Sequence, residues 1–381
     1  MSRTVPRVLL LVNELSLTGA PRLTMGLFQR LRGAASIRVV AEMPGHLESE
    51  YEAIGSVVVL DRYSSRATET TRLSAKVIAR ARDQLRQSIT RLSCAFWRPD
   101  LTYVSTINAL PMLDRIGRPA SPVVLHVHER GLALRNFETL YPGLVQKIPS
   151  RYIAVSNVVA DELVADFGIL RSRISVVHPF VDVPSGMASQ LRSQPGPIVV
   201  GGVGNPHWTK GVELWLLSCR AVADEMGPEN VRFVWLGVRN SPASRQMQAM
   251  VTKLDLGGIV RLEPETHDPF SVMREFDILL VSSWEESASL ATMEAMALGI
   301  PVVCFAGSGG PAEILGGTGV VIPAFAPQAA GEAIAAVARD ESLRLTLRSK
   351  ALARVKAEFD AEEVGAAWAQ EVISLVAPRG S

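Results

Sequence analysis

Short runs of consecutive apolar residues alternate along the chain with longer stretches in which apolar residues recur at helical spacing. Such runs, bounded by turn residues, are typical of parallel strands covered on both faces, and their alternation with helices predicts βα units. In the first half they predict strands at Val8–Val12, Ile37–Ala41, Val57–Leu60, Leu101–Val104, Val123–Val127, Tyr152–Val155 and Ile174–Val177. In the second half they predict strands at Ile198–Val203, Arg232–Leu236, Val260–Leu262, Ile278–Val281, Val302–Phe305 and Gly319–Ile322.

The pattern restarts after a segment from Pro179 to Pro197 that is rich in Pro, Gly and Ser, a composition that resists regular structure. The predicted fold class is therefore α/β, with two doubly wound, Rossmann-like domains that face each other across a cleft. We place the first domain at residues 1–182, a linker at 183–197 and the second domain at 198–360. A C-terminal helix at 361–381 completes the chain, and its return to the first domain is left open.

Composition adds few constraints to this picture. The length of 381 residues suits two domains, and a formal net charge of +1 gives no reason to expect nucleic acid as a partner. Three widely spaced cysteines, Cys94, Cys219 and Cys304, predict neither a disulfide framework nor a zinc site and favour a reducing cytoplasm. The first apolar run, at Val8–Val12, is too short for a signal peptide or a membrane span.

Two glutamates flank the start of a predicted helix that follows the strand Ile278–Val281. Glu286 lies in the connecting loop and Glu294 on the helix, for which Ser287 or Ser289 is a suitable N-cap. The first-turn amides and the helix dipole favour an anion, and a carboxylate accepts hydrogen bonds from neighbouring hydroxyls. The segment thus suits a sugar nucleotide, with one glutamate on the ribose, the other on a hexose and the amides facing a diphosphate. The alternative is a solvated acidic loop beside a salt-bridged helical glutamate.

Three other segments follow predicted strands, where this architecture places its ligands. The loop that begins at Gly204 contains Asn205 and Lys210, and we expect Lys210 to start a helix, reach a phosphate and stabilise a leaving diphosphate. The glycine-rich turn Ala306–Glu313 is expected to form the neighbouring wall of the same pocket. The small-residue turn at Gly19 lets a substrate approach backbone amides. Each segment also has a purely structural interpretation, as a solvated lysine or an ordinary βα turn.

His126 and His128 lie on one face of the predicted strand Val123–Val127, and Glu129 follows directly. Two histidines at this spacing are compatible with a metal, but no cysteine or second histidine pair completes a ligand set. At the strand end, His128 is expected to donate a hydrogen bond to a sugar or phosphate oxygen, with a satisfied core histidine as the alternative. His126, one step deeper, fits the core interpretation better.

Together these residues resemble the family-4 retaining glycosyltransferases of the GT-B fold, bacterial polysaccharide or glycoconjugate type, over nearly the whole chain. The most specific element is the Glu286 and Glu294 pair that runs into MEAMALGIPVV, and the next is Lys210-Gly211 before an apolar helix. Weaker elements are the SLTGAP turn, His128-Glu129, SNVVADEL at Ser156–Leu163 and GGPAEIL at Gly309–Leu315.

The resemblance implies an acceptor-binding first domain and a donor-binding second domain. It implies that Glu286 touches the donor sugar, Glu294 holds the ribose and Lys210 neutralises the diphosphate, with His128 near the sugar and phosphate. The expected catalytic residues are Lys210, Glu286 and His128. The expected donor-binding residues are Gly19, Gly204, Asn205, Ser287, Ala288, Ser289, Leu290, Glu294 and Glu313.

The chain departs from the family pattern at two places. Family members often carry an arginine six residues before the glycine of the Lys-Gly pair, where this chain has Asn205. The usual Gly-Phe-Gly-Leu after the first glutamate is replaced by Ser287-Ala288-Ser289-Leu290. With the first change, one positive charge on the diphosphate is either missing or supplied elsewhere in the chain. The second change is expected to narrow the approach to the donor sugar.

A long helix is predicted from Leu73 to Trp97, inside a basic region from Arg62 to Arg98. The region contains the basic residues Arg62, Arg66, Arg72, Lys76, Arg80, Arg82, Arg86, Arg91 and Arg98 and the acidic residues Glu69 and Asp83. A basic face beside apolar side chains suits an anionic membrane surface, where lipid-linked acceptors would be found. The alternative is a solvated helix face over an ordinary core stripe made of Val77, Ile78, Leu85, Ile89, Leu92, Phe96 and Trp97.

We therefore expect a hexosyl or related glycosyl transferase (EC 2.4) that acts in cell-surface glycan assembly, in the cytoplasm or at the inner face of the cytoplasmic membrane. Its expected donor is a UDP- or GDP-sugar, and its expected acceptor is a saccharide or a lipid-linked saccharide. No cofactor and no metal are expected, since no two aspartates have the Asp-x-Asp spacing. The alternatives are a GT-B sugar-nucleotide epimerase and a catalytically silent relative that binds a nucleotide or saccharide.

Overall fold

The computed structural model describes residues 5–63, 73–181, 196–323 and 325–376, and the chain divides into two compact units. Unit 1 consists of Met1–His178 and Glu362–Ser381, and unit 2 consists of Pro179–Ala361. The chain joins unit 2 before the expected linker, because the amide of Val181 donates to the carbonyl of Phe359 at 3.2 Å. Most of the expected linker at 183–197 lies outside the described residues.

Unit 1 is built on a seven-stranded parallel sheet with the strand order β3-β2-β1-β4-β5-β6-β7. Its strands are β1 (Arg7–Glu14), β2 (Ser36–Met43), β3 (Ser56–Val59), β4 (Leu101–Val104), β5 (Val123–Val127), β6 (Arg151–Ala154) and β7 (Ile174–Val176). The helices between them are α1 (Gly19–Gln29), α2 (Glu48–Glu52), α3 (Leu73–Trp97), α4 (Met112–Ile116), α5 (Gly131–Leu140), α6 (Leu144–Lys147) and α7 (Asn157–Phe167).

Unit 2 repeats the arrangement with a six-stranded parallel sheet in the order β10-β9-β8-β11-β12-β13. Its strands are β8 (Ile198–Val203), β9 (Val231–Val238), β10 (Val260–Pro264), β11 (Ile278–Val281), β12 (Val302–Phe305) and β13 (Val320–Ile322). Its helices are α8 (Val212–Met226), α9 (Pro242–Lys253), α10 (Pro269–Met273), α11 (Leu290–Ala297), α12 (Gly310–Leu315), α13 (Pro327–Arg339) and α14 (Glu341–Glu358).

The strands predicted from the apolar runs are confirmed to within a few residues at their ends. The central strand β11 shows why the runs are continuous. Ile278 and Leu280 belong to the core cluster on one face of the sheet, and Leu279 and Val281 belong to the cluster on the other. A strand buried on both faces needs apolar residues at every position, and helices cover both faces of this sheet.

The last helix, α15 (Ala361–Val376), packs on unit 1. Trp368 on this helix is fully buried, lies edge-on to Phe28 with 5.1 Å between ring centroids, and donates from Nε1 to the hydroxyl of Tyr103 at 3.1 Å. The C-terminal helix is therefore part of the core of unit 1. Within the described residues, no helix has the length and apolar character needed to span a membrane.

Candidate functional site

Glu286 joins the loops that follow neighbouring strands of unit 2. Strands β8, β11 and β12 lie side by side and parallel, so their carboxyl ends reach the same edge of the sheet. The amide of Glu286 donates to the carbonyl of Ser308 at 2.9 Å, and the carbonyl of Glu286 accepts from the amide of Gly310 at 2.8 Å. These bonds hold the loop after β11 against the glycine-rich turn after β12.

Lys210 meets Glu286 from the loop after β8. Its Nζ lies 2.6 Å from Oε2 of Glu286, and Oγ of Ser283 donates to the same oxygen at 2.9 Å. The lysine side chain is 30% exposed and the glutamate side chain 13%, so the pair is open to solvent mainly on its cationic side. An ammonium has three donors, and the bond to Glu286 leaves two for the oxygens of an anionic ligand.

Lys210 lies next to the start of α8 as expected, but it ends a single 3-10 turn, and α8 begins at Val212. Gly211 separates the two with a left-handed conformation at φ +58. A Cβ there would lie 2.1 Å from the carbonyl oxygen of Ser282, whose hydroxyl donates to the carbonyl of Lys210 at 2.9 Å. Only glycine combines this backbone conformation with this close approach, which brings Lys210 to Glu286.

Helix α11 begins beside the ion pair. Ser289 is its N-cap and accepts from the amide of Thr292 at 3.2 Å, which confirms one of the two suggested caps. Ser289, Lys210 and Glu286 line one small cavity of about 10 Å³, which has room for about one water molecule. A group as large as a diphosphate does not fit inside this cavity.

The other expected residues of unit 2 are on the loops and helices that carry or adjoin the ion pair. Glu294 is in the second turn of α11 and is only 6% exposed. Asn205 is exposed in the loop after β8, and Gly204, at φ +145, lies against the Lys210 side chain, whose Cδ is 3.2 Å from where a Cβ would be. Ser287, Ala288 and Leu290 are half-buried between Glu286 and α11, and Glu313 is half-buried on α12.

In unit 1, His128 follows β5, and its ring is tilted by 46° to that of His126 with 4.1 Å between ring centroids. His126 is fully buried, and its Nδ1 is 2.7 Å from the hydroxyl of Tyr103, which fits the core interpretation of this histidine. Burial lowers the pKa of His128 to about 3, so its imidazole is neutral at physiological pH. Its Nε2 is enclosed and has no hydrogen-bond partner among the described residues.

The pKa of Glu129 is shifted upwards, whereas that of His128 is lowered. Burial raises the pKa of its carboxyl group to about 7, against the opposing effect of hydrogen bonds from the amides of Ile107 and His128. Gly19, the remaining expected residue of unit 1, is exposed at the first position of α1, and its N-cap Thr18 makes no side-chain capping bond.

Ser282 and Ser283 are functional candidates that sequence reasoning missed. Their hydroxyls hold the carbonyl of Lys210 and the carboxylate of Glu286, and they follow β11 directly. Two adjacent hydroxyl side chains at a strand end were the available signal. Across the described ranges, no three His, Cys, Asp or Glu side chains form a group able to hold a metal ion.

Comparison with known proteins identifies both halves of the chain. Residues 17–184 match the model described as Glycosyltransferase Family 4, and residues 197–340 match the model described as Glycosyl transferases group 1. The D-inositol 3-phosphate glycosyltransferase 1 of Catenulispora acidiphila is 26% identical over 285 residues, which cover 67% of this chain and 66% of that protein. The D-inositol 3-phosphate glycosyltransferase of Mycolicibacterium smegmatis is 31% identical over 240 residues, covering 60% and 52%.

The matched region spans 47% to 66% of the length of the first curated relatives. Among solved structures, Anabaena HepE in complex with UDP-glucose aligns with a TM-score of 0.76 and 20% identity, covering 97% of this chain and 99% of that one. WaaG, a glycosyltransferase involved in lipopolysaccharide biosynthesis, aligns with a TM-score of 0.73 and 13% identity, covering 96% and 99%. These two structures share the fold of the whole chain. With both halves matched in sequence and the fold matched throughout, the chain belongs to the family-4 glycosyltransferases of the GT-B fold.

Proposed function

We propose that this protein transfers a sugar from a UDP- or GDP-sugar to a saccharide or lipid-linked acceptor in cell-surface glycan assembly, with retention and without a metal. The observation that carries the proposal is the Lys210–Glu286 ion pair at the meeting point of the loops after β8, β11 and β12. The ammonium and the carboxylate are 2.6 Å apart, and this supports the proposal because an ammonium suits a diphosphate and a carboxylate suits sugar hydroxyls. The HepE complexes with UDP and UDP-glucose support a nucleotide sugar as the donor.

The proposed division of roles follows from charge. Glu286 accepts hydrogen bonds from hydroxyls of the donor sugar, and Glu294 accepts them from the ribose. Lys210 and the first-turn amides of α11 stabilise the diphosphate. Burial lowers the pKa of His128 to about 3, so its imidazole is neutral. Its N–H group donates a hydrogen bond to a sugar or phosphate oxygen.

The anomeric configuration is retained if the acceptor attacks the sugar on the same face from which the diphosphate departs. The bond from the anomeric carbon to the diphosphate oxygen breaks while a bond to the acceptor oxygen forms. The acceptor proton passes to the diphosphate. Both proposed carboxylates bind hydroxyls in this scheme, so the chemistry needs no separate protein base. NMR of a product made from an α-linked donor tests the scheme: an α-linked product is expected, and a β-linked product would exclude same-face transfer.

An assay for free nucleoside diphosphate tests the function itself. The protein is incubated with UDP- and GDP-sugars together with saccharide or lipid extracts as acceptors. We expect release of UDP or GDP by the unmodified protein and much less release by Lys210→Ala. Lys253→Ala, which removes an exposed lysine of the same unit, is the control and is expected to release as much as the unmodified protein.

Two other results would each replace the proposal. Interconversion of the sugar without release would indicate an epimerase. Binding without turnover would indicate a silent relative, the interpretation favoured by the neutral, exposed Asn205 in the loop that contains Lys210.

A further inference from the structure

Helix α3 packs on unit 1 through its polar side. Of its residues, Asp83, Thr90 and Cys94 are buried, and they recur at helical spacing on one face. The carboxylate of Asp83 accepts from the amide of Tyr63 at 3.1 Å, and Gln87 on the same face donates to Asp61 at 3.3 Å. The helix is thus held by hydrogen bonds rather than by its larger apolar side chains.

The large apolar side chains of α3 point away from the unit. Ile78, Leu85, Ile89, Leu92 and Phe96 are spaced by seven, four, three and four residues, so they form one stripe along the helix. Their exposed fractions are 54%, 64%, 58%, 62% and 83%. The alternative interpretation of these residues as a core stripe is therefore wrong. At 1.5 Å per residue the stripe is roughly 27 Å long, an unusual length of apolar surface to leave in water.

Arginines flank the helix on both sides, and Arg82 and Arg86 lie nearest the stripe. Arg80, Arg82 and Arg91 are exposed and Arg86 is half-buried, whereas Asp83, the single acidic residue of α3, is buried on the opposite side. The charged side chains that α3 presents to solvent are therefore all cationic. The part of the basic region at 64–72, with Arg66 and Arg72, lies outside the described residues.

We propose that this face of α3, the stripe with its bordering arginines, docks unit 1 on an anionic phospholipid surface. The apolar side chains enter the acyl boundary while the guanidinium groups contact lipid phosphates. A second copy of the chain fits the face poorly, because a symmetric contact between two such helices would bring arginines against arginines.

A cavity beside the stripe supports a lipid phosphate as the polar partner. It has a volume of about 540 Å³ and lies between α3 and strands β2 and β3. Arg38, Arg82 and Arg86 supply its positive charge, while Leu85 and Ile89 of the stripe supply apolar wall. The guanidinium carbons of Arg82 and Arg86 lie 5.5 and 5.6 Å from the ring centroid of Tyr63, which orients both side chains. The cavity thus combines cationic groups suited to a lipid headgroup with apolar groups suited to an acyl chain.

The test is sedimentation of the full-length protein with vesicles, without any sugar nucleotide. Docking rests on unit 1 and not on the proposed transfer reaction, so each can fail separately. One set of vesicles is phosphatidylcholine alone, and the other contains roughly one part phosphatidylglycerol to two parts phosphatidylcholine. We expect binding to the anionic vesicles, weakened by salt, and little binding to the neutral ones.

Two variants and one control locate the contact. Leu92→Ser with Phe96→Ser is expected to lower the partition coefficient on anionic vesicles by about tenfold or more, because two exposed apolar side chains leave the lipid. Arg80→Gln, Arg82→Gln and Arg86→Gln together are expected to lower it similarly and to reduce its salt dependence. Leu140→Ser with Leu170→Ser removes apolar side chains of unit 1 that are 73% and 66% exposed but lie off the stripe, and is expected to change nothing.

Three results would overturn the proposal. The first is the absence of binding to anionic vesicles at low salt, which would favour a protein partner for the face. The second is binding that is equal in the stripe variant and the off-stripe control. The third is a dimer in analytical ultracentrifugation that forms without lipid and is lost in the Leu92→Ser, Phe96→Ser variant, which would assign the face to a second copy of the chain.

Discussion

The Lys210–Glu286 pair presents a cation and a carboxylate side by side. In the proposed reaction, Lys210 contributes most when negative charge grows on the diphosphate as its bond to the sugar breaks. Sequence reasoning could place both residues at one sheet edge, because each follows a strand that the apolar pattern revealed. It could not predict their direct contact, which depends on β8 and β11 being neighbours and on the bonds through Ser282 and Ser283.

Lys210→Ala is expected to lower turnover at saturating donor by roughly 10- to 150-fold, with a smaller effect on donor affinity, since a charge-assisted contact contributes about 1.5–3 kcal/mol. Steady-state kinetics of nucleoside diphosphate release measures both quantities, and Lys253→Ala serves as the matched control. Undiminished turnover in Lys210→Ala would remove the role given to this residue.

The raised pKa of Glu129 makes folding stability depend on pH. An unfolded glutamate titrates near pH 4.3, and burial raises the folded pKa to about 7, so between these values the folded state binds more protons. The contribution of this group to stability therefore falls as pH rises through that window. Glu129→Gln removes this dependence.

Urea unfolding of both proteins at about pH 5 and pH 8 measures the effect. We compare the free energy of unfolding of Glu129→Gln with that of the unmodified protein at each pH. This difference is expected to shift in favour of the variant by about 2–3 kcal/mol from pH 5 to pH 8. A difference that does not change with pH would show that Glu129 is ionised throughout.

At the scale of elements, α11 matters through its N-terminus, and Ser289 caps it. Ser241 caps α9 in the same way, accepting from the amide of Ser244 at 3.1 Å. Replacing either cap with Ala is expected to cost about 1 kcal/mol of stability. Only Ser289→Ala is expected to weaken nucleoside diphosphate binding as well, because of these two helices it is α11 that starts beside Lys210 and Glu286.

Parallel unfolding and calorimetric measurements on Ser289→Ala and Ser241→Ala separate the two effects. Equal nucleotide affinity in both variants would mean that the start of α11 takes no part in binding.

The sequence predicted helix α3 but not which of its faces packs against the protein. Its C-terminal end at Trp97 was predicted as observed, because helical spacing of apolar residues marks a helix whichever face it buries, while the residues before Leu73 lie outside the described ranges. That spacing cannot tell which face meets the protein. Here Asp83 and Gln87 find partners in Tyr63 and Asp61, which are distant in sequence, and the polar side turns inward.

For the chain as a whole, two parallel sheets were predictable because buried parallel strands leave continuous apolar runs, whereas the similar order of their strands was not predicted. The attachment of α15 to unit 1 was left open by the sequence, since a tail of alternating charge and small apolar residues fits many surfaces. The attachment depends on Trp368, which closes a buried cluster with Phe28 and Tyr103.

Trp368→Ala is expected to destabilise unit 1 by about 3–5 kcal/mol, since a fully buried large side chain is lost. Hydrogen exchange resolved by peptide measures this separately for each unit. Faster exchange is expected in β4, β5 and α1, with unit 2 unchanged, and Trp208→Ala, at a 44% exposed tryptophan, is the control. Uniform loss of protection in both units would contradict the assignment of α15 to unit 1.

Unit 2 is proposed to bind the nucleotide of a sugar donor. Calorimetric titration of the protein with UDP and with GDP measures this binding. We expect one of the two to bind the unmodified protein, and Glu294→Gln to weaken that binding by about 1.5–3 kcal/mol while the fold is retained, because a charged acceptor for ribose hydroxyls is lost. If neither nucleotide binds the unmodified protein, or if Glu294→Gln binds with unchanged affinity, the proposed donor site is contradicted.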